Sequence, residues 1–244
     1  MTNAATATLE ILADPDALAR RAADWLLAAA RAKAGRFVVA LSGGSTPRQL
    51  YHDLARPPYR DAFPWARTHW FWGDERFVPR DDAESNYRMA WEAMLSQVPI
   101  AANHIHAVPI AGLTPDEAAA AYERDLKSFY GADHLTPERP LFDVTFLGLG
   151  LDGHTASLFP GASVLAERER WVAAVMDAGT KARVTLTYPT LESTRRVAFL
   201  IAGEEKRDIL ARLRHDDDAL PAARLHPAGT LCLFADTAAA GGLS

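Results

Sequence analysis

From Gly148 to Gly161 the chain reads Gly-Leu-Gly-Leu-Asp-Gly-His-Thr-Ala-Ser-Leu-Phe-Pro-Gly. Two residues in this stretch can move protons. An imidazole titrates near neutrality, so His154 can take a proton and return it, and Asp152, two positions earlier, can orient the ring. The same stretch also satisfies G-x-G-x-x-G through Gly148, Gly150 and Gly153, the spacing of dinucleotide-binding turns. That alternative needs the third glycine to open an uninterrupted helix that carries the pyrophosphate. Pro160-Gly161 stops any helix after about two turns. Asp177, at the end of the next expected strand, could serve a ribose, yet the glycines are better explained as bending the backbone around His154. No nicotinamide cofactor is expected.

Three further stretches carry usable chemistry. Leu41-Ser-Gly-Gly-Ser-Thr-Pro-Arg48 stands between an apolar run and a helical pattern. Gly43 and Gly44 permit a tight turn with free N–H groups, Ser45 and Thr46 can cap the helix, and Pro47 suits its first turn. Such a helix start attracts phosphate through its N–H groups and its dipole. The G-K-[S/T] of a Walker loop is missing, so a nucleoside triphosphate is not expected. Trp72-Gly-Asp74-Glu75-Arg76 sets an acidic pair and an arginine after an aromatic run. Cations also gather at element ends: Lys181 and Arg183 flank a strand start, and Lys206 follows another strand. A lysine in the first turn of a helix opposes the dipole, which hints at a ligand. No cluster has metal-ligand spacing; His104-x-His106 lacks a third partner and reads as part of a strand.

These residues need a scaffold that brings them together. Asp14-Pro15 opens a helix that runs to about Gly35, with Leu18, Ala22, Trp25, Leu26 and Ala29 on one face. Strands are expected at Phe37–Leu41, Thr68–Trp72, Phe142–Leu147, Trp171–Met176, Val184–Thr187, Val197–Ile201 and Leu231–Phe234. Helices are expected at Pro47–Ala55, Asn86–Gln97, around Ala119–Phe129, and from Glu204 to about His215. Several strands are apolar throughout, as in a parallel sheet covered on both faces. The order predicts one α/β domain over 1–244, an open, mostly parallel, doubly wound sheet with helices on both faces. Ligands of such sheets bind beyond the strands' carboxyl ends, where the loops above lie. Residues 55–67 and 215–229 read as loops, and the Ala/Gly tail at 238–242 as frayed.

The chain has 244 residues, 49% hydrophobic and 23% charged, enough for a sizeable core. Its net charge of −5 argues against a nucleic-acid or anionic-membrane surface. Cys232, the sole cysteine, excludes an internal disulfide and is expected in the core. The start has no secretory pattern, and no run approaches the roughly 18 apolar residues of a membrane span. A cytoplasmic protein is expected.

Taken in order, Ser42-Gly-Gly-Ser-Thr-Pro47, Gly73-Asp-Glu-Arg76, Ser85-Asn-Tyr87, the Gly148–Pro160 stretch and Arg183-Val-Thr-Leu-Thr187 resemble the 6-phosphogluconolactonase family. The resemblance spans about residues 30 to 235, and the family is similar to sugar-phosphate isomerases of the glucosamine-6-phosphate deaminase type, with their Rossmann-like sheet. It implies opening of the δ-lactone of 6-phosphogluconate in the oxidative pentose phosphate pathway; the helix stop at Pro160 and the missing ligand cluster lead us to expect that neither NAD nor a metal is needed. His154 would shuttle the proton, and Asp152 would hold it or the substrate hydroxyls. Arg76 or backbone amides would face the oxyanion. Gly43, Gly44, Ser45, Thr46, Asp74, Arg183 and Lys206 would bind the substrate and its 6-phosphate. The partner would be this small molecule, with the protein a monomer or small homo-oligomer. A deaminase on the same fold would need a carboxylate base from Asp74-Glu75 and a glutamate shortly after the histidine, where Ala156-Ser-Leu-Phe159 stands. A non-catalytic sugar-phosphate sensor is the remaining alternative.

Overall fold

The computed structural model describes residues 4, 6–176 and 181–243. The first half contains β1 (Thr8–Leu12), α1 (Pro15–Ala32), β2 (Phe37–Leu41), α2 (Ser45–Leu54), α3 (Tyr59–Ala62), β3 (Thr68–Trp72), β4 (Asp74–Arg76), α4 (Asn86–Ala93), β5 (Ile105–His106) and α5 (Pro115–Tyr130). Then follow β6 (Val144–Leu147), β7 (Val172–Met176), β8 (Ala182–Leu186), α6 (Tyr188–Glu192), β9 (Arg196–Ile201), α7 (Arg207–Arg214), β10 (Thr230–Asp236) and α8 (Thr237–Ala240).

Seven strands form a parallel sheet in the order β1-β10-β9-β6-β2-β3-β5. From β2 the chain builds outward through β3 and β5; from β6 it builds the other way through β9 and β10. The direction reverses between β2 and β6, which leaves a crevice at their carboxyl ends, the place where open α/β sheets hold ligands. The loops of Gly43 and Gly148 leave from those two strands.

Helices cover both faces. Trp25 of α1 meets Phe146 of β6 and Phe234 of β10 edge-on, at 6.2 and 5.7 Å between centroids. Tyr122 and Phe129 of α5 meet Phe71 of β3, whose side chain shares a face with Thr145 and is therefore opposite to Phe146. The ends of both helices are written in the sequence. The Asp14 carboxylate accepts from Ala17 N–H at 2.7 Å and Pro15 opens α1. Thr114 and Glu117 form a reciprocal capping box on α5, which ends at Gly131 with φ +78°. Cys232 is buried, as expected.

The structure departs from the sequence reading in several places. β7 and β8 do not join the main sheet. They pair antiparallel with β4, in the order β4-β8-β7, and Arg76 stands opposite Arg183 across that pairing. β4 has no mark in the sequence because Asp-Glu-Arg carries no apolar pattern; its pairing with β8 is long-range. β1 is an additional edge strand. α2 begins at Ser45 rather than Pro47, and Ser45 and Thr46 give no side-chain cap; the N-cap is Gly44, at φ +107°. The expected helix from Asn86 to Gln97 breaks at Met94 into α4 and a single 3₁₀ turn. The tail is ordered rather than frayed: Asp236 caps α8 by accepting from Ala239 N–H at 2.7 Å, and Ala239 and Ala240 are buried. Short helical turns also interrupt the loops at 55–67 and 215–229. Asp177 lies outside the described residues.

Candidate active site

Two buried tyrosines hold the strand ends from which the site is built. Tyr51 of α2 donates to Ser42 O at 2.8 Å and accepts from Ser42 N–H at 3.0 Å. Tyr122 of α5 does the same to Trp72, at 3.1 and 2.8 Å. Gly73 N–H then donates to Leu41 O at 2.8 Å, so the exits of β2 and β3 are locked side by side. Each tyrosine satisfies a donor and an acceptor that the sheet has stopped pairing.

The crevice holds a cavity of about 320 Å³. Gly43, Gly44, Ser45, Thr46, Asp74, Arg76, His154, Arg183 and Lys206 all line it, as do Asn86, Ala156 and Glu205. On one wall, α2 presents its N-terminus. The N–H groups of Ser45 and Thr46, in its first turn, have no acceptor within the helix, and Pro47 carries none to offer. Lys206 crosses toward the other loop and donates to Leu149 O at 2.7 Å. Its own turn is fixed by Asp236, whose carboxylate accepts from Gly203 N–H at 3.1 Å. Arg76 donates from Nη1 to Glu84 O at 2.7 Å.

The loop after β6 carries the histidine. After β6 the chain turns back on itself: Gly150 N–H donates to His154 O at 2.8 Å, and Gly153 N–H to Gly150 O at 3.0 Å. No helix follows Gly153, so the dinucleotide alternative fails more completely than two turns of helix would have made it fail. Thr155 Oγ1 donates back to Gly148 O at 2.9 Å. The Asp152 carboxylate accepts from His154 N–H at 3.0 Å and lies 2.6 Å from His154 Nδ1. Burial raises the Asp152 carboxyl, but the bonds and charge of His154 outweigh it and hold it below the ordinary range. A carboxylate can only accept, so Nδ1 carries the hydrogen, and in the neutral ring that leaves the lone pair on Nε2. Asp152 itself is not on the cavity wall; it stands behind the ring. The ring also packs on Phe159, with centroids 4.6 Å apart. Gly150 makes room for this pair: a Cβ there would come within 2.1 Å of His154 Nδ1 and 2.7 Å of Asp152 Oδ1.

The acidic pair divides. Asp74 faces the cavity, accepts from Ser157 Oγ at 2.7 Å, and has Arg183 Nη1 at 3.9 Å. Glu75 turns away, 2% exposed, and is bonded by backbone N–H groups of Arg76, Asn86 and Tyr87. Burial pushes its carboxyl up to about 7 against those three donors. Lys181, left open in the sequence reading, pairs with Glu84 and does not line the cavity. Asn86 and Glu205 were not singled out; Asn86 was visible only within Ser85-Asn-Tyr87, and Glu205 as the neighbour of Lys206. Among the described residues no group of three or more His, Cys, Asp or Glu is arranged to hold a metal ion. No helix there is long and apolar enough to cross a membrane.

Fold and cavity together define an open-sheet α/β protein in which a helix start and a carboxylate-oriented histidine line one cavity. The chain belongs to the family described as glucosamine-6-phosphate isomerases/6-phosphogluconolactonase, matched over residues 13–233. It is 41% identical to a 6-phosphogluconolactonase of Nostoc sp. over 243 residues, covering 97% of this chain and 98% of that protein. The rat 6-phosphogluconolactonase is 42% identical over 214 residues, covering 84% and 80% of the two chains. Among solved structures, 6-phosphogluconolactonase from Thermotoga maritima superposes with a TM-score of 0.80 at 29% identity, over 95% of this chain and all of the other.

Proposed function

We propose that this protein is a 6-phosphogluconolactonase, opening 6-phospho-D-glucono-1,5-lactone to 6-phosphogluconate in the oxidative pentose phosphate pathway. The observation that carries the reading is His154, oriented by Asp152, lining one cavity with the start of α2, Arg183 and Lys206. A water placed between His154 Nε2 and the lactone carbonyl would lose its proton to the imidazole as it attacks C1. Charge then develops on the carbonyl oxygen, to be met by Arg76 or by backbone N–H groups. When the bond from C1 to the ring oxygen breaks, the imidazolium returns the proton to that oxygen and leaves an open-chain acid. The 6-phosphate would lie against the loop Gly43–Thr46, with Arg183 and Lys206 supplying charge, while Asp74 would accept from a substrate hydroxyl. Net charge is no obstacle, since Arg76, Arg183 and Lys206 line the cavity. Residues 1–244 would act as one cytoplasmic domain, as a monomer or small homo-oligomer.

The deaminase alternative keeps Asp74 on the cavity wall but lacks the glutamate it needs shortly after the histidine. Glu75 points away from the cavity, and Ala156-Ser-Leu-Phe159 supplies none beside His154. The test is acid release from freshly generated 6-phosphogluconolactone, corrected for spontaneous opening, beside ammonia release from glucosamine 6-phosphate. Lactone opening without ammonia is expected. Ammonia release as fast as lactone opening would sink the reading, and binding of the lactone without turnover would favour the sensor.

A further inference from the structure

Glu75 is the acid of the Gly73–Arg76 stretch that the reaction above leaves unused, and it is the more heavily bonded of the pair. Its Oε1 accepts from Arg76 N–H at 2.8 Å and Asn86 N–H at 2.7 Å. Its Oε2 accepts from Tyr87 N–H at 2.7 Å and Ser85 Oγ at 3.3 Å. A buried carboxylate with four donors is fully satisfied, and it accepts from the first N–H groups of α4, which have no partner inside that helix. The link continues beyond α4. Asn86 is 3% exposed, and its Nδ2 donates to Asp74 O at 2.9 Å. The same amide lies directly on Gly43, where a Cβ would come within 2.0 Å of Asn86 Oδ1 and 2.6 Å of its Cγ. Gly43 leads into the N–H groups of Ser45 and Thr46. A chain of contacts therefore runs from Glu75 through Asn86 to the loop at the start of α2.

We propose that Glu75 is a positioning residue for the phosphate end of the cavity: by clamping the start of α4 it presses Asn86 against Gly43 and so sets the direction of the Ser45 and Thr46 N–H groups. The assignment rests on reading the cavity as a sugar-phosphate site. It gives the second acid of Asp74-Glu75 a task in phosphate recognition, one that needs no contact with substrate. It also explains why residue 43 must be glycine although its backbone does not have positive φ.

The experiment compares Glu75→Gln, Asn86→Ala and the double variant in the full chain. Each single change should raise KM for 6-phosphogluconolactone about tenfold, the worth of about one misplaced hydrogen bond, with kcat moving less than about threefold. The ratio of kcat/KM for the phosphorylated over the plain lactone should fall by the same factor. The double variant should be no worse than the stronger single change, because both cut one link. Calorimetry with 6-phosphogluconate should show the same weakening, independent of turnover. A lower melting temperature with an unchanged KM and substrate ratio would make Glu75 purely structural and overturn the proposal. Equal losses on both lactones, or additive losses in the double variant, would overturn it too. Should Glu75→Gln fail to fold, Asn86→Ala alone reads the same ratio. If the wild-type chain binds 6-phosphogluconate but opens no lactone, the proposed reaction fails; weaker binding by Glu75→Gln would still support the positioning role.

Discussion

Two glycine-rich loops leave neighbouring strands, β2 and β6, and go opposite ways. The loop of Gly43 and Gly44 runs straight into the ten-residue helix α2 and exposes N–H groups to the cavity. The loop of Gly148, Gly150 and Gly153 matches the phosphate-binding fingerprint better, yet no helix follows it and it presents a histidine. Glycine spacing alone therefore does not identify a phosphate site; what the chain does after the last glycine decides. In both loops one glycine is dictated by a neighbouring side chain. Gly43 makes room for Asn86, and Gly150 for the pair His154 and Asp152.

On the proposed function this comparison divides the labour: chemistry on the β6 loop, phosphate on the β2 loop. Apart from the histidine itself, the largest expected effect on kcat is at Gly150. In Gly150→Ala the new methyl would displace a ring held at 2.6 Å from its carboxylate. A misplacement of about 1 Å can cost about 10²-fold, and the loss should fall on kcat. A Gly150→Ala enzyme with wild-type kcat would mean that the orientation of His154 by Asp152 does not matter.

Next come the cations. Arg183→Ala or Lys206→Ala should chiefly raise KM for the phosphorylated lactone, since a charge-assisted bond is worth roughly 1.5–3 kcal/mol, or about 10- to 150-fold in kcat/KM. Equal losses with plain gluconolactone would remove phosphate binding from both residues. Gly43→Ala should do less and in the same direction, a rise in KM of about tenfold as Asn86 is pushed aside. A fall in its kcat with KM untouched would break the division between the loops.

The smallest effect lies away from the cavity. His69, His104 and His106 cluster near the edge strand β5: His69 Nδ1 is 3.0 Å from His106 Nε2, and the His69 and His104 rings are 4.1 Å apart. Burial first, then the neighbouring imidazoles and Arg36, push His69 and His106 down to about 4. Both take protons more readily when unfolded, near 6.5. Their contribution to stability is thus present above about pH 6.5 and lost as pH falls toward about 4. The melting temperature should drop across that window, and less so in His69→Gln. Equal slopes in the two proteins would show that other groups control acid stability.

The sequence made the β2 loop, the His154 loop and the cations legible because each is a local pattern at a strand end. α1 and α5 were legible through their caps. The small antiparallel sheet was not: Asp74-Glu75-Arg76 has no apolar alternation, and its pairing joins residues over a hundred positions apart. The capping of α2 was misread because Ser45 and Thr46 suit an N-cap by type, while Gly44 takes that position with positive φ. The opposite orientations of Asp74 and Glu75 were hidden for a similar reason. A carboxylate accepting from backbone N–H groups eleven and twelve residues ahead leaves no mark on side-chain spacing.

The central claim is that His154, and not the phosphate loop, moves the proton. The most direct measurement is kcat and KM of His154→Ala with phosphorylated and plain lactone. The account predicts a kcat lower by about 10²–10⁴, little change in KM, and an intact preference for the phosphorylated substrate. A His154→Ala enzyme that keeps the wild-type kcat would contradict it.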